Sequence, residues 1–395
     1  MITQIEIQHY KSIDQLDLTL NNQVICVGKN ASGKSNFLDA ISFLGDIAND
    51  GIDTALMKRH GYKSVCQWSK FKPYDLSIGV KVSGRSGKGA YRIQLSPKNE
   101  TYFVKAETGR WDWIDREGQA KSSSFSRNAK GELRFRGVSI FDRHSKSDGP
   151  NIIIEKDETF LHALSSRSIY GNLYSLWREV ASIVSYKIFP NVVREPELPI
   201  SSDTLRGDGS NICRIFKNLT KNSRDNKAKR LSILSGMKHA ISDLDNVLIK
   251  NTGEYLVPFF SVFDDTGRKK THQFNASQMS DGSLRLFALL VALYQPMLPR
   301  KIGLEEPEQN INPALVSILC DSIKDVSSES QIFVTSHSPQ LIDEFPIENI
   351  VAFNFSKGVS DIGRVEAAQV EIVKKGLMSL GELAVSDQIR LEHAN

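Results

Sequence analysis

The chain has 395 residues, of which 40% are hydrophobic and 24% charged, and its formal net charge is +4. This composition is typical of a soluble globular protein with room for about two or three domains. The charge is too small to indicate a nucleic-acid partner by itself. No apolar run reaches the roughly 18 residues of a membrane-spanning helix. Four well-separated cysteines and an N-terminus unlike a signal peptide predict a cytoplasmic protein without a zinc site.

The N-terminal residues alternate apolar and polar side chains, as β-strands do. Strands are predicted at residues 2–7 and 16–20, joined through a turn at 10–12, and a short buried strand at 23–27. A helix is predicted from Ser35 to about residue 47. The N-terminal part therefore reads as an α/β lobe.

Between the third strand and this helix lies G-K-N-A-S-G-K-S, a full match to the phosphate-binding pattern G-x-x-x-x-G-K-[S/T]. Its glycines let the backbone curl around phosphate oxygens, and the helix N-terminus adds partial positive charge. Lys34 is predicted to reach the β- and γ-phosphates, and the Ser35 hydroxyl to bind Mg²⁺. The pattern could also match by chance in a Gly- and Ser-rich turn, but a chance match would not be expected between a strand and a helix. Because both flanking elements are predicted here, the sequence predicts a nucleoside triphosphate site. The predicted cofactor-binding residues are Gly28, Lys29, Asn30, Ala31, Ser32, Gly33, Lys34, Ser35 and Asn36.

Residues 51–150 have the alternation of an antiparallel sheet, with strands predicted at 74–82, 90–95, 101–104 and 133–135. The Ser-rich basic stretch 121–130 is predicted to be an exposed loop. Residues 150–250 are predicted to be largely helical, with the best amphipathic runs at 160–183 and 231–248.

A basic run lies between these two amphipathic segments, where only Asp225 supplies an acid. It is either a solvated helix face or a contact for the phosphate backbone of DNA or RNA. Its members are Arg214, Lys217, Lys221, Arg224, Lys227, Lys229 and Arg230.

After about residue 255 the α/β pattern returns. A strand is predicted at 256–262, where Pro258 indicates an edge position. A helix should begin at Ser280, and strands at 301–304 and 331–335 flank a helix at 314–326. A further strand-like piece follows residue 352, and then helices.

Acidic and polar residues follow these C-terminal strands. Glu305 and Glu306 end a buried strand, where one acid can hold Mg²⁺ and the other can deprotonate the attacking water. Paired acids can also be purely structural, but the upstream phosphate loop favours catalysis. His337 follows the next strand; a lone histidine is commonly structural, yet this position makes it a candidate sensor of the γ-phosphate. A second phosphate-facing helix start is predicted at Ser280, Asp281, Gly282 and Ser283.

These motifs in this order resemble the ABC-type ATPases of the RecF, OLD and structural-maintenance-of-chromosomes group. Residues 5–12 and the L-G-E-L at 380–383 resemble its compact bacterial "AAA family ATPase" branch. The resemblance, carried by residues 1–50 and 250–395, implies an α/β fold. It is an ABC-type P-loop ATPase head with a mixed sheet flanked by helices, an antiparallel β subdomain and a largely helical middle insertion. The implied divisions are an N-terminal ATPase lobe at 1–150, the insertion at 151–250 and a C-terminal ATPase lobe at 251–395.

The resemblance also assigns roles. Residues 28–35 match the Walker A loop, Glu305 the Walker B acid for Mg²⁺, Glu306 the catalytic base and His337 the switch histidine. Residues 280–283 match the signature motif and 310–313 the D-loop. The signature reads S-D-G-S rather than S-G-G-Q, and Asn312 stands where relatives often carry histidine. Gln67 is the candidate for the Q-loop glutamine, and no long heptad arms occur.

In this group the signature of one subunit closes over the nucleotide of another. The resemblance therefore implies a homodimer or higher homo-oligomer that ATP and Mg²⁺ hold together and hydrolysis releases. The sequence leaves three functions open. In the first, the chain is an ATPase subunit that controls a separately encoded effector, a nuclease or toxin, in anti-phage defence. In the second it is a RecF-like DNA-binding ATPase of repair or replication, and in the third it is a nucleotide-dependent scaffold that hydrolyses slowly.

Overall fold

The computed structural model describes residues 1–68, 74–98, 101–137, 153–166, 171–220, 223–264, 271–386 and 389–392. By its internal contacts the chain forms two units. The first comprises Met1–Ile183, Asn349–Gln369 and Ile389–Asn395, and the second Val184–Glu348 and Val370–Gln388. The functional division at residues 150 and 250 stays a prediction. In the described part of the chain, helices are all too short or too polar to cross a membrane.

Both units contain strands and helices. The strands are β1 (Ile2–Tyr10), β2 (Ile13–Thr19), β3 (Gln23–Gly28), β4 (Leu76–Gly84), β5 (Gly87–Lys98), β6 (Thr101–Ile114), β7 (Ala120–Arg127), β8 (Leu133–Arg136), β9 (Ile183–Tyr186), β10 (Leu244–Thr252), β11 (Tyr255–Phe263), β12 (Thr271–Asn275), β13 (Lys301–Glu305), β14 (Gln331–Ser336), β15 (Ile350–Ser356) and β16 (Val359–Gly363). The helices are α1 (Lys34–Asp50), α2 (Ile52–Met57), α3 (Tyr62–Val65), α4 (Phe160–Ala163), α5 (Leu173–Ala181), α6 (Pro190–Arg194), α7 (Ile212–Asn218), α8 (Arg224–Ala240), α9 (Asp281–Leu293), α10 (Val316–Val326), α11 (Pro339–Asp343), α12 (Ala367–Lys374) and α13 (Leu380–Val385).

The first unit contains a seven-stranded antiparallel sheet in the order β2-β1-β4-β5-β6-β7-β8. Alternate residues of its strands are buried, so one face of the sheet forms a core. On that face the rings of Phe125 and Phe135 pack edge-on against Phe160 of α4, at centroid distances of 4.7 and 5.2 Å. The predicted antiparallel subdomain is therefore present.

The phosphate-loop segment has the predicted order of strand, loop and helix. β3 pairs in parallel with β15, through Ile25 and Ile350 among others, and β15 pairs antiparallel with β16. α1 buries an apolar face that includes Phe37, Ile41 and Leu44. The loop at residues 28–35 therefore leaves a buried strand and enters a helix, as the motif requires.

The second unit places its strands and helices around α9, whose residues from Leu284 to Leu293 are all buried. α9 packs against α6, α7, α8 and α10. β13 and β14 pair in parallel, with Glu305 opposite Thr335. β10, β11 and β12 form a separate antiparallel sheet in that order.

Several predicted elements differ from the structure. The loop predicted at 121–130 is wrong, because Ala120–Arg127 forms β7. Its buried positions include Ser123 and Arg127 rather than only apolar residues, which hides the strand alternation. The run 160–183 is divided into α4, a 3₁₀ turn and α5, and residues 167–170 lie outside the described part. The run 231–248 ends as a helix at Ala240, and β10 begins at Leu244.

The predicted edge position of Pro258 is also wrong for β11 as a whole, because β11 is the central strand of its sheet. Pro258 pairs with Ile249 of β10, but β12 pairs with β11 only from Phe259 onwards. Among the described residues, Pro258 therefore has a ladder partner on the β10 side only. Proline has no backbone N–H, and at this position none is needed for pairing with β12.

A charged cluster in the first unit supports the predicted turn at residues 10–12. Asp39 of α1 accepts from the Tyr10 hydroxyl at 2.6 Å and pairs with Lys11 Nζ at 2.6 Å and Arg59 Nε at 2.7 Å. Arg59 also pairs with Asp46 at 2.8 Å and is almost fully buried. The cluster thus joins β1 to α1, the helix that follows the phosphate loop.

Replacing Asp39 with Asn is expected to lower the free energy of unfolding by about 2 kcal/mol at neutral pH, because Arg59 would lose a buried charged partner. Burial raises the pKa of Asp39, but Arg59 and Lys11 outweigh it and hold the pKa below its usual value. The stabilisation is therefore present above the ordinary aspartate pKa and is lost as the pH falls through the lower folded-state pKa. Urea unfolding at neutral and strongly acidic pH measures both effects. The exposed Asp14→Asn variant is the control and should stay within about 0.5 kcal/mol of wild type.

Candidate functional site

The two glycines of the phosphate loop are needed for different reasons. Gly33 has φ +105°, a left-handed conformation that side chains disfavour. Gly28 lies so close to β15 that an added Cβ would be 2.2 Å from the carbonyl oxygen of Phe353. Gly33 is the N-cap of α1, and no side chain caps this helix start. No side-chain cap therefore competes with an anion at the start of α1.

Lys34 folds back over the loop. Its Nζ donates to the carbonyl oxygens of Gly28 at 2.7 Å and Lys29 at 2.8 Å, and the side chain is buried. The Ser32 hydroxyl is buried without a hydrogen-bond partner in the described residues, whereas Ser35 is exposed. An uncapped helix start, an ammonium group and an orphaned hydroxyl form a donor set that fits phosphate oxygens. The residues present therefore fit a nucleotide phosphate group.

A small polar cluster packs against the phosphate loop. The hydroxyls of Ser12 and Ser360 are 2.6 Å apart, and Asn36 Nδ2 donates to Ser12 Oγ at 2.7 Å. A Cβ on Gly33 would meet Ser360 Oγ at 2.1 Å. The motif residues Ser12 and Asn36 are thus brought together, while the contribution of Ser360 has no signal in the sequence.

The acid pair and His337 all belong to the second unit, whereas the phosphate loop belongs to the first. Glu305 ends β13, and its Oε2 lies 3.0 Å from Lys187 Nζ. Glu306 has φ +42°, and its N–H donates to the carbonyl and hydroxyl oxygens of Thr335 at 3.0 and 3.1 Å. This tight turn at the end of β13 points to a functional constraint on Glu306.

The Glu306 carboxylate has two polar neighbours. Its Oε2 accepts from Gln309 Nε2 at 2.5 Å, and its Oε1 lies 3.8 Å from His337 Nδ1. Both side chains are partly exposed, with 24% of Glu306 and 46% of His337 accessible. The structure therefore brings together the two residues that were predicted to act on water and on the γ-phosphate.

Glu308 is a further residue of this site, and the sequence suggested no role for it. It is buried, and its Oε1 accepts from Ser336 Oγ at 2.6 Å and from the His337 N–H at 3.3 Å. Glu308 thus holds the backbone of the candidate switch histidine. Its position two residues after Glu306 was the only indication in the sequence of its place in the site.

The signature segment begins α9 as predicted. Ser280 is the N-cap, and its Oγ accepts from the Ser283 N–H at 3.2 Å. Asp281 pairs with Arg194 of α6, which also donates to the carbonyl oxygen of Met279 at 3.0 Å. An added Cβ on Gly282 would lie 2.5 Å from the carbonyl oxygen of Asn310. The signature and the predicted D-loop are therefore in direct contact.

Arg285 joins α9 to the acid pair. It is buried, and it donates to the carbonyl oxygens of Ile188 at 2.7 Å and Glu306 at 2.9 Å. Burial lowers the pKa of this guanidinium, and the nearby glutamates, Glu308 first, oppose that shift. Arg285 thus links the signature helix directly to the Glu306 turn.

Three other candidates occupy structural positions. Asn312 caps the 3₁₀ turn Pro313–Leu315 by accepting from the Ala314 N–H at 3.0 Å. Gly381 of the L-G-E-L sequence donates its N–H to Asp343 of α11 at 2.6 Å, so α13 lies against the helix that follows His337. The Gln67 N–H donates to the His9 carbonyl at 2.9 Å, and a Q-loop role for Gln67 stays a prediction.

Comparisons with known proteins agree with these motifs. A family model described as "AAA domain, putative AbiEii toxin, Type IV TA system" matches residues 27–343. A family of unknown function matches residues 1–50. The "DNA replication and repair protein RecF" of Streptococcus agalactiae serotype Ia is 32% identical over 125 residues, which is 31% of this chain and 28% of RecF.

A second relative matches over most of the chain. The "Retron Vc95 probable ATPase" of Vibrio cholerae serotype O1 biovar El Tor is 22% identical over 396 residues, covering 89% of this chain and 73% of the relative. Among solved structures, the SMC head bound to the C-winged helix domain of ScpA aligns with a TM-score of 0.51 and 15% identity. That alignment covers 94% of this chain and 99% of the SMC chain, so the fold is shared. Because the family model spans residues 27–343, the chain belongs to this AAA-domain family, and its fold is that of an ABC-type ATPase head of the RecF and SMC kind.

Proposed function

We propose that the chain binds ATP with Mg²⁺ and hydrolyses it slowly, and that ATP-dependent assembly of its copies controls a partner effector in bacterial anti-phage defence. The observation that carries the ATP assignment is the geometry of the phosphate loop. There α1 begins at Lys34 without a side-chain cap, and the Lys34 ammonium group lies over the loop. The similarity to a retron ATPase and to a putative toxin family of type IV toxin–antitoxin systems supports a partner effector, which we propose to be a nuclease or toxin.

In this proposal, residues 28–36 hold the triphosphate, with Lys34 on the β- and γ-phosphates. Ser35 and Glu305 would hold Mg²⁺, which neutralises phosphate charge when bound. Glu306 takes a proton from the attacking water, and His337 donates to the γ-phosphate. The Gln309 side chain and the carbonyl and hydroxyl oxygens of Thr335 hold Glu306 in place for this task.

The signature residues 280–283 are proposed to contact the nucleotide of a second copy, so that ATP joins subunits and hydrolysis releases them. Asp281 is a like charge to a phosphate, and its ion pair with Arg194 offsets this repulsion. The start of α9, capped by Ser280, is then proposed to face the second nucleotide with its partial positive charge.

A RecF-like DNA-binding ATPase is the second candidate, favoured by the 32% identity to RecF. The match covers only 28% of RecF, so the activity of that whole protein is not transferred. The basic run gives it limited support. Arg214 donates to the Pro199 carbonyl, Lys229 pairs with Asp225, and Arg230 donates to the Val247 carbonyl. Lys221 lies outside the described residues.

The assembly mechanism is tested by light scattering with ATP–Mg²⁺, with ADP–Mg²⁺ and with chelator. We expect ATP–Mg²⁺ alone to increase the mass of the wild-type particle. Gly282→Ala is expected to weaken this association at least about tenfold, because the new Cβ would force the signature away from Asn310. Nucleotide affinity should change less than about threefold.

The control is Gly363→Ala, since a Cβ there meets its nearest atom at an ordinary 3.6 Å. Association of Gly282→Ala at the wild-type level would refute the role of the signature, and a wild-type particle indifferent to ATP would refute the composite site. For the defence role, cells carrying the native operon are challenged with phages. Protection that survives Lys34→Ala would exclude ATP control of the output.

A further inference from the structure

One lysine of the second unit is paired with the carboxylate that is proposed to hold Mg²⁺. Lys187 directly follows β9, and its Nζ lies 3.0 Å from Glu305 Oε2 at the end of β13. The lysine keeps 59% of its side chain accessible, whereas the glutamate keeps only 19%. The ammonium group is therefore free to move into solvent, while the carboxylate has much less room.

The backbone around Lys187 is fixed at this place. The Lys187 N–H donates to the Gly207 carbonyl oxygen at 2.9 Å. The carbonyl oxygen of the next residue, Ile188, accepts from Arg285 at 2.7 Å, and Arg285 also donates to the Glu306 carbonyl oxygen at 2.9 Å. A buried guanidinium thus joins the chain after β9 to the acidic turn after β13. This link keeps the base of the lysine side chain next to its glutamate partner.

Glu305 fits Mg²⁺ by its chemistry, because carboxylate oxygens are ligands that this ion prefers. Mg²⁺ usually keeps several waters and binds through one or two carboxylates together with substrate phosphates. In the part of the chain that the structure describes, no three side chains of histidine, cysteine, aspartate or glutamate are arranged to hold a metal ion. The affinity for a metal ion should therefore depend strongly on whether the Glu305 carboxylate is already paired.

Lys187 and Mg²⁺ would compete for the same carboxylate. The lysine Nζ lies within hydrogen-bond distance of Oε2, so a metal ion on that oxygen would lie beside a positive charge. Two positive charges about 4 Å apart repel enough to change an equilibrium constant about fivefold, even at the dielectric constant of water.

We infer that Lys187 is an internal counter-cation of Glu305, which must leave before Mg²⁺ binds there and which keeps metal ions off this carboxylate when they arrive without a nucleotide. A metal ion alone offers the displaced lysine no new partner, whereas a magnesium–triphosphate complex brings phosphate oxygens that pair with ammonium groups. The inference rests on the proposed role of Glu305 as a Mg²⁺ ligand.

Electron paramagnetic resonance of Mn²⁺, which prefers the same oxygen ligands as Mg²⁺, tests the inference on the protein without nucleotide. The signal of the free ion decreases on binding, so the dissociation constant is measured without any turnover. The test variant is Lys187→Met, which keeps the length of the side chain and removes its charge. Lys187→Arg keeps the charge. Lys238→Met, at an exposed lysine of α8 in the same unit, is the matched control.

We expect Lys187→Met to bind Mn²⁺ at least about fivefold more tightly than the wild type, because the competing charge is gone. Lys187→Arg and Lys238→Met should stay within about twofold of the wild type. In a Glu305→Gln background, adding Lys187→Met should change the affinity less than about twofold, since the carboxylate for which the cations compete is absent. If Lys187→Met does not fold, Lys187→Gln takes its place with the same expectation.

Equal Mn²⁺ affinity in the wild type and in Lys187→Met would overturn the inference. A gain that persists in full in the Glu305→Gln background would also overturn it, because the lysine would then act through another group. A gain that disappears with the Glu305 carboxylate would support it. Titration calorimetry with a non-hydrolysable ATP analogue measures nucleotide binding separately on the same proteins, so failure of this inference is distinguishable from failure of the ATPase proposal.

Discussion

Lys34→Ala is expected to weaken ATP binding at least about 30-fold and to reduce hydrolysis to background. The lysine is the cation of the phosphate loop, and a hydrogen bond to a charged group contributes about 1.5–3 kcal/mol. Its Nζ donates to the Gly28 and Lys29 carbonyls, so the side chain lies over the loop. Titration calorimetry with a non-hydrolysable ATP analogue and Mg²⁺ measures the affinity directly.

The control for this variant is Lys63→Ala, an exposed lysine of the same unit, which should bind like wild type. A thermal melt checks that the loop tolerates the loss of the Lys34 contacts. Near wild-type affinity in a folded Lys34→Ala protein would disprove the assignment of residues 28–35 as the phosphate site, and with it the ATPase function.

Glu306→Gln is expected to lower turnover about 10²- to 10³-fold while nucleotide affinity changes less than threefold. A positioned general base contributes about 10²–10⁴-fold, and the amide cannot take the proton from water. Gln has the same shape, so the turn held by the Thr335 contacts should persist. The ATP-bound assembly should therefore outlast that of the wild type. Phosphate release and light scattering on the same sample measure both effects.

Glu329→Gln, an exposed glutamate at the far end of α10, is the matched control and should turn over normally. An unchanged turnover number in Glu306→Gln would favour the scaffold function, in which hydrolysis has no role. A slow enzyme that no longer assembles would instead place Glu306 in the subunit contact rather than in the chemistry.

The phosphate loop was predictable because its conformation depends on neighbouring residues. Gly33 permits a left-handed backbone that other residues disfavour, and Gly28 permits the close approach of β15. The strand before them and the helix after them are visible in apolar spacing. The signature start was equally local, since the Ser280 side chain caps the helix that it begins.

The strand β7 and the contact of Glu308 with His337 were missed for the opposite reason. The strand alternates serine with one phenylalanine and a buried arginine, so apolar periodicity does not mark it. Glu308 and His337 meet only because β13 and β14 pair in parallel and end side by side. Neither the strand nor the contact is marked by a pattern of neighbouring residues in the sequence.

The phosphate loop, the paired acids and the order of the motifs, and with them the family, can be read from the residues alone. These features depend on residue identity and short spacing, which a chain displays before it folds. The folded chain adds the contact of Ser360 with Gly33, the contact of Gly282 with Asn310, and the common face shared by cations of β4, β5, β6 and β8. Strand register determines these neighbours, and register depends on pairing between residues distant in sequence.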